Sequence, residues 1–335
     1  MPRGTNPTFT AGANAANALI PIEASREIIK VATEQSVVLS LASKQDMGTQ
    51  LRDMPVLATK PSAYFVTGDT GLKQTTTAAW KNIRLTAEEI AVLIVIPNNV
   101  MNDASRSLWD QLRPEVGEAI GKALDAAVLF GTNKPASWPA ALGIQAQTAT
   151  NNVRQGSGGA GTDIADDINN VLKAVSSDGF TPSGIVMRQD LRYTLQGLRD
   201  ANRGLIFQPN DPGVSTSTFA QSPAARTGSI WGVPTMTTLS GVFEDHDAAT
   251  AFAIELLAVD WSQVIIGVRQ DISVDFSNSA IITDAGGVVQ MNAFQQDSTV
   301  GRFVARFAYA VPNPITRLNA TEATRWPAAV LEMVT

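Results

Sequence analysis

The stretch that decides the fold lies between Trp80 and Ser105 and reads WKNIRLTAEEIAVLIVIPNNVMNDAS. Its centre is a near-continuous apolar run, IAVLIVI, with Glu88 and Glu89 in front of it and Pro97 behind it. Such a run is typical of a buried strand, and in an enzyme a buried strand often carries a catalytic residue at its end. The segments on either side of this strand therefore indicate its role.

On the amino-terminal side, from about Gly48 to Leu85, strand-like fragments rich in Thr and Val flank the turn signal GDTG. Too few apolar residues occur here to bury one face of a hairpin. Because a long two-stranded hairpin is marginally stable alone in water, we expect it to lie on another surface. A neighbouring copy of the same chain is the obvious candidate.

On the carboxyl-terminal side, apolar residues recur at helical spacing and predict one buried face from Ser105 to Phe130, a helix of roughly 39 Å. The residues of this face are Leu108, Leu112, Val116, Ile120, Leu124 and Val128. Pro114 lies inside the pattern and should kink or split the helix. Gly131 is the expected end, since glycine accepts the left-handed conformation common there.

The remaining chain has a mixed pattern. Residues 1–20 read as an extended arm, and Pro21 opens a short amphipathic helix. Residues 132–163 read as a linker, followed by the order helix, strand, helix up to a Pro-, Ser- and Thr-rich loop that ends near Arg226. In GRFVARFAYAV, Phe303 and alternate residues after it predict a half-exposed strand with a basic stripe.

The composition argues against several classes of function. The 335 residues are 44% hydrophobic, enough for a substantial core, and no apolar run predicts a membrane span or a secretory signal. A net charge of −6 disfavours direct binding to nucleic acid, which depends on clustered Lys and Arg. Without cysteine there is no disulfide or thiolate site, and a single histidine, His246, removes most routes to base catalysis or imidazole metal sites.

Three segments resemble chemical motifs, but each has a simpler interpretation. GSGGAGTD at 156–163 lacks the lysine of a phosphate loop, so a surface loop is favoured. EDHD at 244–247 is favoured as an exposed acidic turn, since adjacent side chains do not converge on one ion. Glu88 and Glu89 point to opposite faces of a strand, which favours salt bridges over an acid and base couple. We therefore expect no catalytic, cofactor-binding or metal site.

The order of these elements resembles the tailed-phage major capsid proteins of the Hong Kong 97 type, over nearly the whole chain. The stretches that carry the resemblance are AWKNIRLTAEEIAVLIVIPNNVMNDAS, the helix end VLFGT, GIVMRQDLRYTLQGLRDANRGLIF, SIWGVPTMTT and QQDSTVGRFVARF. The resemblance implies an α+β fold with an N-terminal arm, an E-loop hairpin, a peripheral domain with a long spine helix, and an axial domain. The resemblance rests on the order of these stretches along the chain, because no single motif among them is specific to the family.

Matching these stretches to the family implies the following boundaries. They are the N-terminal arm at 1–27, the peripheral domain at 28–45, the E-loop at 46–86, the peripheral domain with the spine helix at 87–135, the axial domain at 136–262, the peripheral strands at 263–310, and a C-terminal tail at 311–335 that returns to the axial domain. The loop at 208–226 is the candidate for contacts around the ring axes. The candidate subunit-interface residues are Arg52, Lys60, Lys73, Trp80, Lys81, Glu88, Glu89, Arg302 and Arg306.

The function implied by the resemblance is self-assembly as pentamers and hexamers into an icosahedral shell around the double-stranded DNA of a tailed bacteriophage. Expected partners are other copies of the chain, a portal, decoration proteins, and DNA bound without sequence specificity. Because only about twenty residues precede the first helix, a separate scaffolding protein, or none, is expected to guide assembly. Assembly in the host bacterial cytoplasm is expected, with no membrane contact. The subunits are expected to be joined without a covalent cross-link, since nothing marks an Asn and Glu to partner Lys60 or Lys73.

Two alternatives remain open at this level. An encapsulin-type shell has the same fold but encloses cargo enzymes rather than DNA, and the long hairpin favours the phage interpretation over it. A soluble hydrolase of mixed fold is the alternative from another class, and the single histidine, the absence of cysteine and the absence of a motif all disfavour it.

Overall fold

The computed structural model describes residues 36–66, 71–103, 108–156, 164–197, 227–238, 240–243, 252–284 and 286–334. Four features predicted from the sequence lie outside these residues: the N-terminal arm at 1–27, the helix opened by Pro21, the loop at 208–226 and the acidic segment at 244–247. Of the glycine-rich segment at 156–163, only Gly156 is described.

The strands of the described chain form two large sheets and two hairpins. In chain order they are β1 (Ser43–Asp46), β2 (Leu51–Thr59), β3 (Ala79–Thr86), β4 (Glu88–Pro97), β5 (Asn152–Arg154), β6 (Gly184–Arg188), β7 (Thr227–Ile230), β8 (Val233–Thr238), β9 (Phe252–Val259), β10 (Ile265–Ser277), β11 (Ile281–Thr283), β12 (Val289–Asn292), β13 (Ser298–Ala310) and β14 (Ala328–Val334).

The described chain also contains helices. They are α1 (Val37–Leu41), α2 (Asn98–Asp103), α3 (Leu108–Asp125), α4 (Leu142–Thr148), α5 (Ile164–Ser177) and α6 (Gln189–Gly197). A π-helical turn, Ala126–Phe130, continues α3. The segment predicted as a linker thus contains α4 and β5, because Leu142 and Ala146 bury a short helical face that its polar neighbours obscure in the sequence.

The long helix forms as its apolar spacing predicts. Val116, Ile120 and Leu124 are buried, and the chain ends the helix at Gly131 with φ +77°, the left-handed conformation expected of a glycine there. The prediction that Pro114 splits the helix is wrong, since α3 runs through this exposed residue without interruption. Burial of the face beyond Pro114 outweighs the one hydrogen bond that proline removes.

The first sheet has four strands in the order β1, β10, β13 and β4, which puts IAVLIVI at an edge. Ile90, Val92 and Ile94 pack on the core, whereas Leu93 on the opposite face remains 54% exposed. The prediction of a fully buried strand is therefore wrong for the isolated chain. Both alternating positions are apolar, so the sequence does not distinguish the covered face of this strand from its bare face.

The second sheet has six strands in the order β5, β14, β9, β6, β8 and β7. The predicted order helix, strand, helix is confirmed as α5, β6 and α6, and Ile168 and Val171 of α5 pack with Ile185 of β6. The end of the chain contributes β14 to the interior of this sheet, between β5 and β9. The last strand is therefore a central part of the second sheet.

The hairpin pairs β2 with β3 from Leu51↔Thr86 to Thr59↔Ala79, so its paired strands are shorter than the sequence suggests. Residues 60–66 and 71–78, which we call the tip loop, lie between them without strand structure. The strands rest partly on their own chain: Ile315 donates its N–H to the carbonyl of Leu57 at 3.2 Å. The hairpin thus contacts its own chain near the end of β2, and its support by a neighbouring copy stays a prediction.

Candidate subunit interface

The tip loop exposes apolar side chains in both of its described segments. Phe65 is fully exposed and Leu72 is 90% exposed, and Tyr64 and Val66 are also exposed. The hydroxyl of Tyr64 donates a hydrogen bond of 2.7 Å to the carbonyl of Gln74, which joins the two limbs of the loop. Contiguous exposed apolar groups of this kind mark surfaces that bind another molecule.

The second exposed surface is the bare side of the four-stranded sheet, which we call the outer face. Glu89 of β4 lies opposite Arg306 of β13, and Arg302 of β13 lies between Leu93 and Asp275. Arg302 Nη2 donates to Asp275 Oδ2 at 2.6 Å, and this hydrogen bond raises the pKa of the guanidinium. The face therefore combines exposed apolar atoms with charged side chains.

A cavity of about 430 Å³ opens on the outer face, between the sheet and strand β11. Leu93, Val300 and Ile281 give it apolar walls, and Asp275 and Arg302 form part of its rim. Ile281 is 60% exposed. The cavity is thus an open apolar depression rather than a closed core void.

A smaller cavity of about 220 Å³ lies at the root of the hairpin and is bordered by Glu88, Glu89 and Trp138. Ser137 Oγ donates to Glu88 Oε1 at 2.5 Å, and the Trp138 indole donates to the carbonyl of Thr86 at 3.0 Å. Glu88 is therefore engaged in holding the hairpin root. Glu89 also borders this cavity and lies opposite Arg306 in the strand register. Because Glu88 and Glu89 are consecutive strand residues, their side chains leave β4 on opposite faces, which disfavours an acid and base couple.

Comparison with known proteins supplies the family. Residues 16–316 match the model described as the phage capsid family. The chain belongs to the phage capsid family. It is a major capsid protein of a tailed phage, a structural protein of the virion, and its fold is of the Hong Kong 97 type.

Solved structures agree with this assignment. A chain of Mycobacterium phage Cain is 33% identical with a TM-score of 0.73, over 89% of this chain and 90% of that one. A chain of Microbacterium phage Oxtober96 is 32% identical with a TM-score of 0.72, over 89% and 91%. The capsid of a native GTA particle is 15% identical with a TM-score of 0.59, over 91% of each chain, which shows the fold alone. No curated protein sequence matches the chain significantly.

The predicted interface residues of this capsid subunit fall into two groups. Glu89, Arg302 and Arg306 share the outer face, with Glu88 behind it at the hairpin root. The other candidates belong to the hairpin and its loop, where they do not converge on one point. These are Arg52, which donates to the carbonyl of Asp46 at 3.1 Å, half-buried Lys60, exposed Lys73, Trp80 at 67% exposure, and Lys81, which is ion-paired with Glu322.

Sequence reasoning missed the apolar residues that the capsid subunit leaves uncovered. They are Phe65 and Leu72 on the tip loop, Leu93 on β4, and Ile281, Val288 and Phe294 on or beside the β11–β12 hairpin. For Phe65 and Leu72 the available signal was a large apolar residue inside a stretch rich in Thr, Gly and Gln, whereas Leu93 lies in an apolar run that gives no such signal. Such a residue has no local partner to cover it, so a contact elsewhere should be sought.

Two further properties concern only the part of the chain that is described. No group of three or more His, Cys, Asp or Glu side chains is placed to hold a metal ion there. In the same residues, no helix combines the length and the apolar character that crossing a bilayer requires.

Proposed function

We propose that this capsid protein assembles as pentamers and hexamers into an icosahedral shell that encloses the double-stranded DNA of a tailed phage. The observation that carries the proposal is the pair of uncovered surfaces on one subunit, the tip loop and the outer face. Two different surfaces on one chain support head-to-tail contacts, and head-to-tail contacts close into rings. A ring in which each subunit covers the next leaves neither surface exposed to water.

Each of the two large sheets is proposed to form the centre of one domain of the subunit. The six-stranded sheet with α5 and α6 fits the axial domain at 136–262, to which the tail at 311–335 returns. The four-stranded sheet with α3 fits the peripheral domain, in its segments at 28–45, 87–135 and 263–310. The hairpin at 46–86 fits the E-loop, which lies over an adjacent subunit. In this proposal the axial domains meet at the ring axes.

The proposed partners follow from the same role. A separate scaffolding protein guides assembly in the host bacterial cytoplasm, a portal occupies one vertex, and decoration proteins bind outside. The packaged DNA is held without sequence-specific contacts, which the net charge of −6 supports because no excess of cations neutralises phosphate. The protein acts as a structural element and catalyses no reaction.

The predicted interface residues act in this proposal at two places. The outer-face residues Glu89, Arg302 and Arg306 contact a neighbouring subunit directly, as do Arg52, Lys60, Lys73 and Trp80 on the hairpin. Glu88 and Lys81 fix the direction of the hairpin through Ser137 and Glu322. Glu88→Ala and Glu89→Ala should each give folded subunits with an assembly defect, and normal yields of shells from both variants would contradict these roles.

The shell is proposed to be non-covalent. Denaturing gel electrophoresis of intact shells should therefore release monomers of 35.5 kDa. A ladder of oligomers that survives boiling in detergent would show that subunits are cross-linked.

The assembly itself is tested by expressing the protein, separating particles by sedimentation velocity and imaging them in negative stain. We expect closed shells, and a small stable monomer at all concentrations would overturn the proposal. Particles purified from infected cells should contain double-stranded DNA. Particles filled with a cargo enzyme instead would favour an encapsulin-type compartment.

A further inference from the structure

We propose that Asp178 is a positioning residue for the hairpin of β2 and β3, and that it acts through residues 311–327, which we call the crossover segment. This segment leaves the four-stranded sheet after β13 and enters the six-stranded sheet as β14. It therefore connects the two large sheets. The inference rests on the proposed function, because the hairpin is the part of the subunit that is proposed to reach a neighbour.

The carboxylate of Asp178 is buried between α5 and β6. Its Oδ1 accepts a hydrogen bond of 2.7 Å from the side-chain amide of Asn319, and its Oδ2 accepts the backbone N–H of Trp326 at 2.9 Å. Asn151 Nδ2, at the start of β5, also donates to Oδ2 at 2.7 Å. One carboxylate thus holds the middle and the end of the crossover segment, and hydrogen bonds to a charged acceptor are strong ones.

The crossover segment is also held in one shape by its own side chains. Buried Arg325 donates from Nε to Asn313 Oδ1 at 3.1 Å and from Nη1 to the carbonyl of Asn319 at 3.0 Å. Asn313 Nδ2 in turn donates to the carbonyl of Arg325 at 2.9 Å. Since a buried network with its partners in place is rigid, the position of Asp178 determines the position of the whole segment.

The hairpin is attached to the same segment on both of its strands. The contacts are the N–H of Ile315 with the carbonyl of Leu57 at 3.2 Å, Arg317 Nη2 with the carbonyl of Pro61 at 3.1 Å, and the ion pair of Glu322 with Lys81. Single hydrogen bonds and surface ion pairs are weak. The direction of the hairpin therefore depends on the crossover segment staying in place.

Three consecutive residues make the shortest connection between Asp178 and the hairpin. Ile315 and Arg317 donate to the hairpin, whereas Thr316 between them donates from Oγ1 to the carbonyl of Asp178 at 2.6 Å. Thr316 Oγ1 also accepts the N–H of Asn319 at 3.0 Å, so it belongs to the network around the carboxylate. A displacement at Asp178 is thus passed to the hairpin through one residue.

The variant Asp178→Asn tests the assignment on unassembled subunits. In either orientation the new side-chain amide turns its N–H donors toward the donors of Asn319 or of Trp326, so a hydrogen bond to the crossover segment is lost. We expect the backbone amides of β2 and β3 to exchange with deuterium roughly 2- to 10-fold faster than in the wild type, the factor that corresponds to one ordinary hydrogen bond. Mass spectrometry of peptides from the hairpin measures this local opening.

A second substitution should restore slow exchange. In Asp178→Asn with Asn319→Asp, the amide at position 178 donates to the carboxylate at position 319 and still offers its oxygen to Asn151 and Trp326. The N–H of Thr321, which bonds to Asn319 Oδ1 at 3.0 Å, also keeps an acceptor. A purely structural role for Asp178 would not give such a recovery in the hairpin.

Gln147→Ala is the matched control. The side-chain amide of this half-buried residue also donates to a buried carboxylate, that of Glu332 in β14, at 2.8 Å. Glu332 lies in the same six-stranded sheet but beyond the crossover segment. The control should therefore leave exchange in β2 and β3 at the rate of the wild type.

Unchanged exchange in Asp178→Asn, an equal increase in Gln147→Ala, or no recovery in the double variant would overturn the assignment. If Asp178→Asn does not fold, Asn319→Ala makes the same measurement with the same meaning, because it removes the donor to Asp178 Oδ1. The yield of shells should fall in Asp178→Asn and recover in the double variant, and a normal yield despite faster exchange would contradict a positioning role. Failure of the wild-type chain to form shells would count against the proposed function instead.

Discussion

The buried carboxylate of Asp125 accepts a hydrogen bond of 2.6 Å from the hydroxyl of Ser36, across 89 positions of sequence. The same carboxylate accepts the backbone N–H groups of Val37 and Val38 at 2.9 and 3.1 Å, while Ser36 Oγ accepts the N–H of Leu39 at 3.0 Å. Two side chains thus cap α1 together. Asp125 is the last residue of α3. These hydrogen bonds therefore attach the start of α1 to the carboxyl-terminal end of α3.

Replacing Asp125 should therefore destabilise the subunit strongly. Asp125→Ala leaves Ser36 and two buried N–H groups without this acceptor, so we expect a loss of about 3 kcal/mol or more. Ser36→Ala should lose about 1–2 kcal/mol as a helix cap. Urea unfolding of unassembled subunits measures both, and a smaller loss for Asp125→Ala than for Ser36→Ala would show that the carboxylate is not the main anchor.

Gly179, between α5 and β6, lies against Thr316 in the segment that supports the hairpin. Its φ is +82°, and an added Cβ would lie 2.8 Å from the Cβ of Thr316. Thr316 Oγ1 donates to the carbonyl of Asp178 at 2.6 Å, so this approach is held in place. The neighbouring Ile315 and Arg317 bind the hairpin.

Gly179→Ala should cost more than glycine replacement at an open turn. The left-handed backbone alone costs an L-residue about 1–2 kcal/mol, and the overlap with Thr316 should add about 1–3 kcal/mol. Gly287→Ala is the control, because its φ is +81° and nothing lies within 4 Å of the added Cβ. Thermal unfolding of the two variants gives the comparison, and equal losses would mean that Thr316 moves aside freely.

The pair of Arg302 and Asp275 should matter more for assembly than for folding. Both side chains are about half exposed, so Arg302→Asp should change the free energy of unfolding by no more than about 1 kcal/mol. The yield of shells should fall, because the cavity on the outer face would carry two carboxylates where a neighbouring subunit is proposed to bind. The exchanged variant, Arg302→Asp with Asp275→Arg, should recover much of the yield. No recovery in a folded double variant would argue against the pair as a rim contact.

The turn of the β11–β12 hairpin should depend on pH. The N–H of Val288, the side-chain amide of Gln290 and the N–H of Gly286 all donate to Asp284, and these hydrogen bonds lower the pKa of its carboxyl. Since the folded pKa lies below the unfolded value of about 3.9, the stabilisation is present above that pH and is lost as the pH falls through the folded pKa.

A comparison of the wild type with Asp284→Asn tests this dependence. The difference between their unfolding free energies should be constant above about pH 5 and should shrink at lower pH. A difference that stays constant down to about pH 3 would show that Asp284 is not stabilised in its charged form.

The sequence predicts the long helix well, because its apolar residues recur at helical spacing. The prediction of a half-exposed strand at Phe303 is wrong, since in β13 only Arg302 is exposed and Val304 on the same side is buried. Strand alternation shows that Arg302 and Arg306 share a side, but it does not show how much of that side the neighbouring strands cover.

The exposed side of β4 escaped prediction for a different reason. When Ala91, Leu93 and Val95 are as apolar as the residues between them, only the sheet order shows which face is bare.

The support of the hairpin also lies beyond sequence reasoning. Leu57 and Pro61 meet Ile315 and Arg317 more than 250 positions later, mostly through backbone carbonyls that leave no trace in side-chain pattern. The candidate site was therefore only half predictable. Its charged residues follow from strand alternation, whereas its exposed apolar residues can be identified only in the folded subunit.

The most direct test of the central claim is an icosahedral reconstruction of purified particles by electron cryo-microscopy. We expect one chain to fill both pentamers and hexamers, with each tip loop resting on the four-stranded sheet of the adjacent subunit. Particles without closed symmetry, or closed shells in which the hairpin contacts only its own subunit, would contradict the assembly proposed for this capsid protein.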